Sequence, residues 1–110
     1  MQLPNAEQAV IPREKVRDYL LSPAHPIGRY KAAFFRVLGY EQEGWEILEN
    51  DIRSLLNGDA EKTEFTEYGT KYVVRGRIVG PSGRSADIVT AWIILTGEDV
   101  PRFVTAHPED

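Results

Sequence analysis

His25 and Lys31, with a set of threonines, aromatics and cations further along, are the residues whose types and spacing lend themselves to chemistry. His25 falls in Ser22-Pro23-Ala24-His25-Pro26-Ile27-Gly28, a segment whose two prolines no helix can continue through. Histidine titrates nearer neutrality than other side chains, and the start of the following helix favours anions. His25 therefore reads as a group for proton transfer beside a negative charge. A histidine that only caps or packs at the turn fits the same position. Lys31, about one turn into that helix, offers a cation for such an anion, and a solvated surface lysine fits equally well. Thr90 and Thr105 offer hydroxyl donors from strands, where threonine is also an ordinary structural residue. His107 is the second imidazole, close to the C-terminus.

Positioning these groups calls for about three helices followed by four strands. Ile11-Pro12-Arg13-Glu14 starts the first helix, with proline where its missing N–H costs nothing, and Val16, Tyr19 and Leu20 share a face. The second runs from Arg29 to Leu38, with Tyr30, Ala33, Phe34, Val37 and Leu38 as its buried stripe and Gly39 as its stop. The third begins near Glu43, buries Trp45, Leu48, Ile52, Leu55 and Leu56, and ends at Asn57-Gly58. After Asp59 the apolar period becomes alternating. Glu64 to Tyr68, Lys71 to Val79, Ser85 to Leu95 and Arg102 to Ala106 read as strands, with Gly80-Pro81-Ser82-Gly83 turning the second onto the third.

This order predicts an α+β fold, with the helices on one face of a four-stranded antiparallel sheet and the other face partly open. In the third strand, Val89, Ala91, Ile93 and Leu95 are continuously apolar and are assigned to the helix-covered face. The opposite set, Ala86, Ile88, Thr90, Trp92 and Ile94, would floor the open cleft. Phe103, Thr105 and His107 share a face of the last strand, so Thr90, Trp92, Thr105 and His107 are expected to converge.

A chain of 110 residues suits one domain, with residues 1–10 and 108–110 as loose ends. Hydrophobic residues at 42% and charged residues at 27% argue against disorder. The absence of cysteine excludes disulfides, thiolate metal sites and thiol redox chemistry. Two distant histidines and scattered carboxylates lack metal-ligand spacing. No Gly-rich phosphate loop or nucleophile elbow is present. No apolar run reaches the roughly 18–20 residues of a membrane span, and Met1-Gln2-Leu3-Pro4 does not begin like a signal peptide, so neither secretion by that route nor membrane embedding is expected, and the lack of cysteine is compatible with a cytoplasmic site of action.

The net charge of −4 hides a pattern. Residues 12–38 carry six basic groups against two acids, a balance of +4; residues 41–69 carry nine acids against two bases; residues 71–86 carry Lys71, Arg75, Arg77 and Arg84 and no acid. Two basic stretches flanking an acidic one suit a positive cleft with a negative back, or ordinary solvated faces.

One ordered set of segments carries a family resemblance: His25-Pro26-Ile27-Gly28 with Lys31-Ala32 and Phe34-Phe35; Tyr68-Gly69-Thr70-Lys71-Tyr72; Gly83-Arg84 with Val89-Thr90-Ala91-Trp92-Ile93; and Pro101-Arg102-Phe103-Val104-Thr105-Ala106. From about Arg13 to Pro108 the chain resembles small bacterial domains that occur alone or as C-terminal toxin modules of contact-dependent inhibition and other polymorphic toxins. It is similar to the barnase, EndoU, colicin and RelE-like ribonuclease group, in which helices precede a four-stranded antiparallel sheet.

That resemblance implies RNA cleavage by 2′-hydroxyl attack, giving a 2′,3′-cyclic phosphate with no metal and no cofactor. It implies an RNA substrate, transfer RNA among the candidates, and a small cognate immunity or antitoxin protein, with no membrane partner. In that chemistry His25 would serve as base or acid, Lys31 would clamp the phosphate, and Thr90 and Thr105 would donate to its oxygens. Lys71, Arg77, Arg84 and His107 would hold substrate, and Tyr68 and Trp92 would stack on bases. The alternative is a catalytically silent binding domain that uses the open sheet face. A toxin requires His25 and Lys31 to approach Thr90 or Thr105 across one cleft; a binding domain does not.

Overall fold

After a 3₁₀ turn at Ala6–Gln8, Pro12 caps Arg13–Lys15 (α1), and the chain continues directly into a wider π-turn at Val16–Leu20. The Leu21 amide donates to the Val16 carbonyl at 3.0 Å, closing that turn, and Val16 and Leu20 are fully buried. The computed structural model describes residues 1–109. The later helices are Arg29–Val37 (α2) and Trp45–Ser54 (α3), and a 3₁₀ turn at Leu55–Asn57 prolongs the latter. Strands Ala60–Thr66 (β1), Gly69–Val79 (β2), Ser85–Leu95 (β3) and Arg102–Pro108 (β4) form one antiparallel meander in the order β1-β2-β3-β4. This is the expected α+β arrangement, helices first and sheet second.

α2 ends in a Schellman motif. Gly39 adopts a left-handed φ of 98°, its amide donates to Arg36, and the Tyr40 amide donates to Phe35. The Tyr40 ring packs edge-on against Phe35, completing the apolar contact of the motif. The buried face of α2 is Ala32, Phe35 and Leu38, not the expected stripe: Tyr30, Ala33 and Val37 face outward and Phe34 is half-buried. Gly28 sets this rotation, because it brings the start of α2 into backbone contact with the preceding turn.

In α3, Leu48, Ile52 and Leu56 are buried as the spacing requires. Each such side chain stabilises the fold by about 1.5–3 kcal/mol relative to its exposed state.

The sheet differs from expectation in its sidedness. Ile88, Thr90 and Trp92 of β3 face the core, beside Tyr72, Val74 and Ile78 of β2. The apolar set Val89, Ala91, Ile93 and Leu95 lies on the other face, mostly half-buried. The physical reason is mutual satisfaction. The Trp92 indole N–H donates to Thr90 Oγ1 at 2.9 Å, and Thr90 Oγ1 donates to the Val74 carbonyl at 2.8 Å, so both polar groups enter the core paired. β4 carries a bulge: Trp92 faces Phe103 but Ala91 faces Thr105, leaving Val104 extra. Phe103 therefore joins the core, while Thr105 follows Ala91.

The first ten residues are packed, not loose. Leu3 is 2% exposed, Ala6 and Ala9 are buried, and Arg53 donates to the Ala9 carbonyl. Val10 bridges Arg102 in parallel fashion, which starts α1 alongside β4. At the other end Pro108 closes β4 and the Glu109 amide donates to Asp87; Asp110 lies outside the described residues.

The Tyr40 hydroxyl donates to Asp51 of α3, tying the end of α2 to that helix. Burial, then that hydrogen bond and the charge of Asp51, hold the phenol's pKa well above its ordinary value. A raised folded-state pKa contributes stability that is complete below the unfolded value near ~10 and is lost as pH rises through the folded value. Tyr40→Phe should therefore be less stable than wild type by about 1–3 kcal/mol at pH 8. Urea unfolding repeated under strongly alkaline conditions should show that gap shrinking.

Candidate functional site

The site begins with a steric fact. A Cβ on Gly28 would lie 2.1 Å from the Tyr19 carbonyl oxygen, so only glycine lets the start of α2 rest on the π-turn. Three residues before Gly28, the His25 ring packs edge-on against Tyr19 with centroids 5.0 Å apart. Three residues after it, Lys31 Nζ donates to the Tyr19 hydroxyl at 2.6 Å. The glycine thus brings an imidazole and an ammonium onto one phenol.

His25 Nδ1 accepts the amide hydrogens of Ile27 at 3.1 Å and Gly28 at 3.0 Å. Its lone pair is therefore engaged, the neutral ring carries its proton on Nε2, and Nε2–H is the group it can offer a ligand. The histidine caps its own turn and presents a donor.

On the Tyr19 phenol burial is the largest single influence and pushes the pKa up. The hydrogen bonds of Lys31 and Thr105, with the charges of Lys31 and Lys15, outweigh it, so the net direction is down. Thr105 thus belongs to the cluster from the β4 side. Its buried Oγ1 has no other partner within the chain, so the phenol is the group it faces.

The surrounding charges divide by location. Among the described residues Arg13, Lys15, Arg29, Lys31 and Arg36 of the helical half make no ion pair. Most of the sheet's cations do, Lys62 excepted: Lys71 meets Glu64, Arg75 meets Glu61 and Glu109, and Arg77 meets Asp87. Of the unpaired cations, Lys31 and Lys15 act on the Tyr19 phenol.

Of the residues singled out from sequence, His25, Lys31 and Thr105 are brought together. Thr90 and Trp92 are in the core, spent on each other. Tyr68 sits exposed at the β1–β2 turn, about 17 Å along β2 from Val73, which lies across Ala91 from Thr105. Lys71 and Arg77 lie on the open sheet face in ion pairs. Arg84 flanks the turn under the C-terminal end of α2, roughly 13 Å along that helix from Arg29. His107 is exposed two residues beyond Thr105, and its Nδ1 donates to the Pro108 carbonyl at 2.9 Å. Tyr19 is the member that sequence reading missed. Its position beside Val16 and Leu20 on one apolar face is its only signal, and core tyrosines share it.

Among the described residues no three histidine, aspartate or glutamate side chains gather to hold a metal. Two concavities, of about 350 and 320 Å³, are lined by Gln2, Ala6, Arg53 and Leu56 and by Arg36, Glu41, Gln42 and Glu43. The Tyr19 cluster lies outside both linings.

The architecture is that of a chain in a contact-dependent growth inhibition toxin–immunity protein complex from Klebsiella pneumoniae 342. The TM-score is 0.71 at 21% identity, over 91% of this chain and 99% of that one, a likeness of fold. Residues 2–110 match the model of DUF6883, a domain of unknown function, and the chain belongs to that family. No curated protein matches it.

Gly28→Ala tests the contact on which the site is built. With a φ of −76° the position tolerates alanine conformationally, which alone would gain about 0.4–1 kcal/mol. The clash is with backbone, so overpacking at about 1–3 kcal/mol should win. Urea unfolding should show a net loss of stability; a gain would mean that the contact is not tight.

Proposed function

We propose that this domain is a toxin that cleaves RNA without a metal ion, and that a small cognate immunity protein neutralises it by covering the unpaired cations. The observation that carries the proposal is the 2.6 Å contact of Lys31 with Tyr19, flanked by His25 and the buried Thr105 hydroxyl.

In the active form the Tyr19–Lys31 pair has lost one proton and stands as phenolate and ammonium. The phenolate takes the proton of a ribose 2′-hydroxyl, and the 2′-oxygen attacks the adjacent phosphorus. His25 Nε2–H donates to the non-bridging oxygens as their charge grows, while the buried Thr105 hydroxyl steadies the phenolate. The bond from phosphorus to the 5′-oxygen breaks, and Lys31 gives that oxygen a proton. The products are a 2′,3′-cyclic phosphate and a 5′-hydroxyl. Proton transfer from phenol to amine across the short hydrogen bond restores the pair. Because the active form holds one proton fewer, the rate rises with pH and levels once the pair is deprotonated. The downward shift of Tyr19 brings that form closer to neutrality.

RNA as substrate fixes the site of action in the cytoplasm. Transfer RNA is a fitting target, since an exposed single-stranded loop can lie across an open site.

The test is growth of a bacterial host under tight induction, with total RNA examined for fragments ending in 2′,3′-cyclic phosphate. Wild type should arrest growth and produce such ends. Tyr19→Phe and Lys31→Met should each lower cleavage by about 10²–10⁴-fold with the fold intact by circular dichroism. Purified wild type should cleave faster as pH rises from 6 to 9. Normal growth and intact RNA at good expression would sink the proposal in favour of a silent binding domain; full activity in Tyr19→Phe would remove Tyr19 from the mechanism.

A further inference from the structure

Arg29, Tyr30 and Lys31 place a cation, an aromatic ring and a second cation at successive positions of the first turn of α2. Lys31 turns in toward Tyr19, whereas Tyr30 is 70% exposed. The Arg29 guanidinium lies 4.9 Å from the Tyr30 ring centroid and its Nη2 donates to the Tyr30 hydroxyl at 3.0 Å, which fixes the ring's orientation. Ile27, one turn earlier, is 68% exposed. Packing within the chain explains neither exposure.

We propose that Tyr30 is the platform on which a nucleobase next to the cleaved phosphate stacks, with Arg29 holding the ring and contacting the neighbouring phosphate. This deepens, and rests on, the RNA-cleaving reading. Three observations favour a nucleotide as occupant. Tyr30 directly precedes the lysine of the phosphate site in the same helical turn, its ring stands exposed with a guanidinium against it, and that guanidinium has no carboxylate partner among the described residues. Such stacking tolerates any base, so Tyr30 would set affinity and register, with little effect on sequence choice.

The experiment is fluorescence anisotropy with a single-stranded 2′-O-methyl RNA oligonucleotide, which lacks the free 2′-hydroxyl and is not cleaved, alongside cleavage of ordinary RNA. Tyr30→Ala should bind about 5- to 150-fold more weakly than wild type. Tyr30→Phe, which keeps the ring, should bind close to wild type. An oligonucleotide made abasic throughout should bind wild type and Tyr30→Ala alike. Equal affinity of Tyr30→Ala and wild type for the base-bearing probe overturns the stacking role, and RNA cleavage by that same wild type shows that the catalytic reading survives. A wild type that neither cleaves RNA nor binds the probe overturns both. Binding that depends on Tyr30 without any cleavage supports the platform and removes the catalysis.

Discussion

The contact of Gly28 with the Tyr19 carbonyl is the constraint from which the site follows. Two short helical segments meet there at backbone distance, closer than any side chain would allow. Neither segment is long: the π-turn has five residues and α2 nine, too few to be stable alone. Burial of Val16 and Leu20 on one side and of Ala32 and Phe35 on the other supplies what propensity does not. The contact fixes both the rotation of α2 and the height of Lys31 above Tyr19. The same turn holds His25 by its own amides, so imidazole and ammonium reach the phenol from opposite sides of one glycine.

Charge explains how a chain of net charge −4 can keep a cationic surface. The acids of β1 and β3 lie across from the cations of β2, and pairing cancels them locally. Exposed pairs of this kind contribute little to stability, about 0–1 kcal/mol each. Their consequence is spatial: they silence the sheet face, whereas the helical half is left with cations that no carboxylate meets. The total charge therefore says little about what either face attracts.

The helices-then-meander order and the extents of β2 and β3 were legible from the change of period after Asp59, because periodicity reports backbone geometry directly. What failed was the choice of face. Thr90 and Trp92 look like surface residues only until they are seen to satisfy one another, a pairing between alternate residues that one-dimensional alternation does not reveal. The stripe on α2 was misplaced for a related reason: Tyr30 and Val37 are hydrophobic but exposed, and Gly28, whose lack of a side chain sets the rotation, registers as a turn residue and no more. The N-terminal ten residues appeared weak in pattern, yet a bridge to β4 and one arginine to the Ala9 carbonyl hold them down. Among site residues, His25 and Lys31 could be read from their place before and within one helix. Choosing Thr105 over Thr90 required the bulge at Val104, and Tyr19 required the tertiary contact itself.

The bulge also gives the sheet its part in the site. Were Val104 paired opposite Ala91 as an ordinary strand residue, Thr105 would share the core face of Phe103, and its hydroxyl would need a buried partner as Thr90 does. With the bulge, Phe103 stays opposite Trp92 while Thr105 moves to the register of Ala91 and meets Tyr19. A strand bonded along its length to β3 is a stiff support, and the helical cluster is seated against that same strand through Val10. The helices thus supply the groups that move or carry charge, and the sheet supplies one fixed donor against which they are positioned. A hydroxyl left unpaired in such a place would cost the folded chain roughly 1–3 kcal/mol, and the Tyr19 phenol is the group it faces. On the proposed mechanism that phenol oxygen is the one that carries charge when the pair loses its proton.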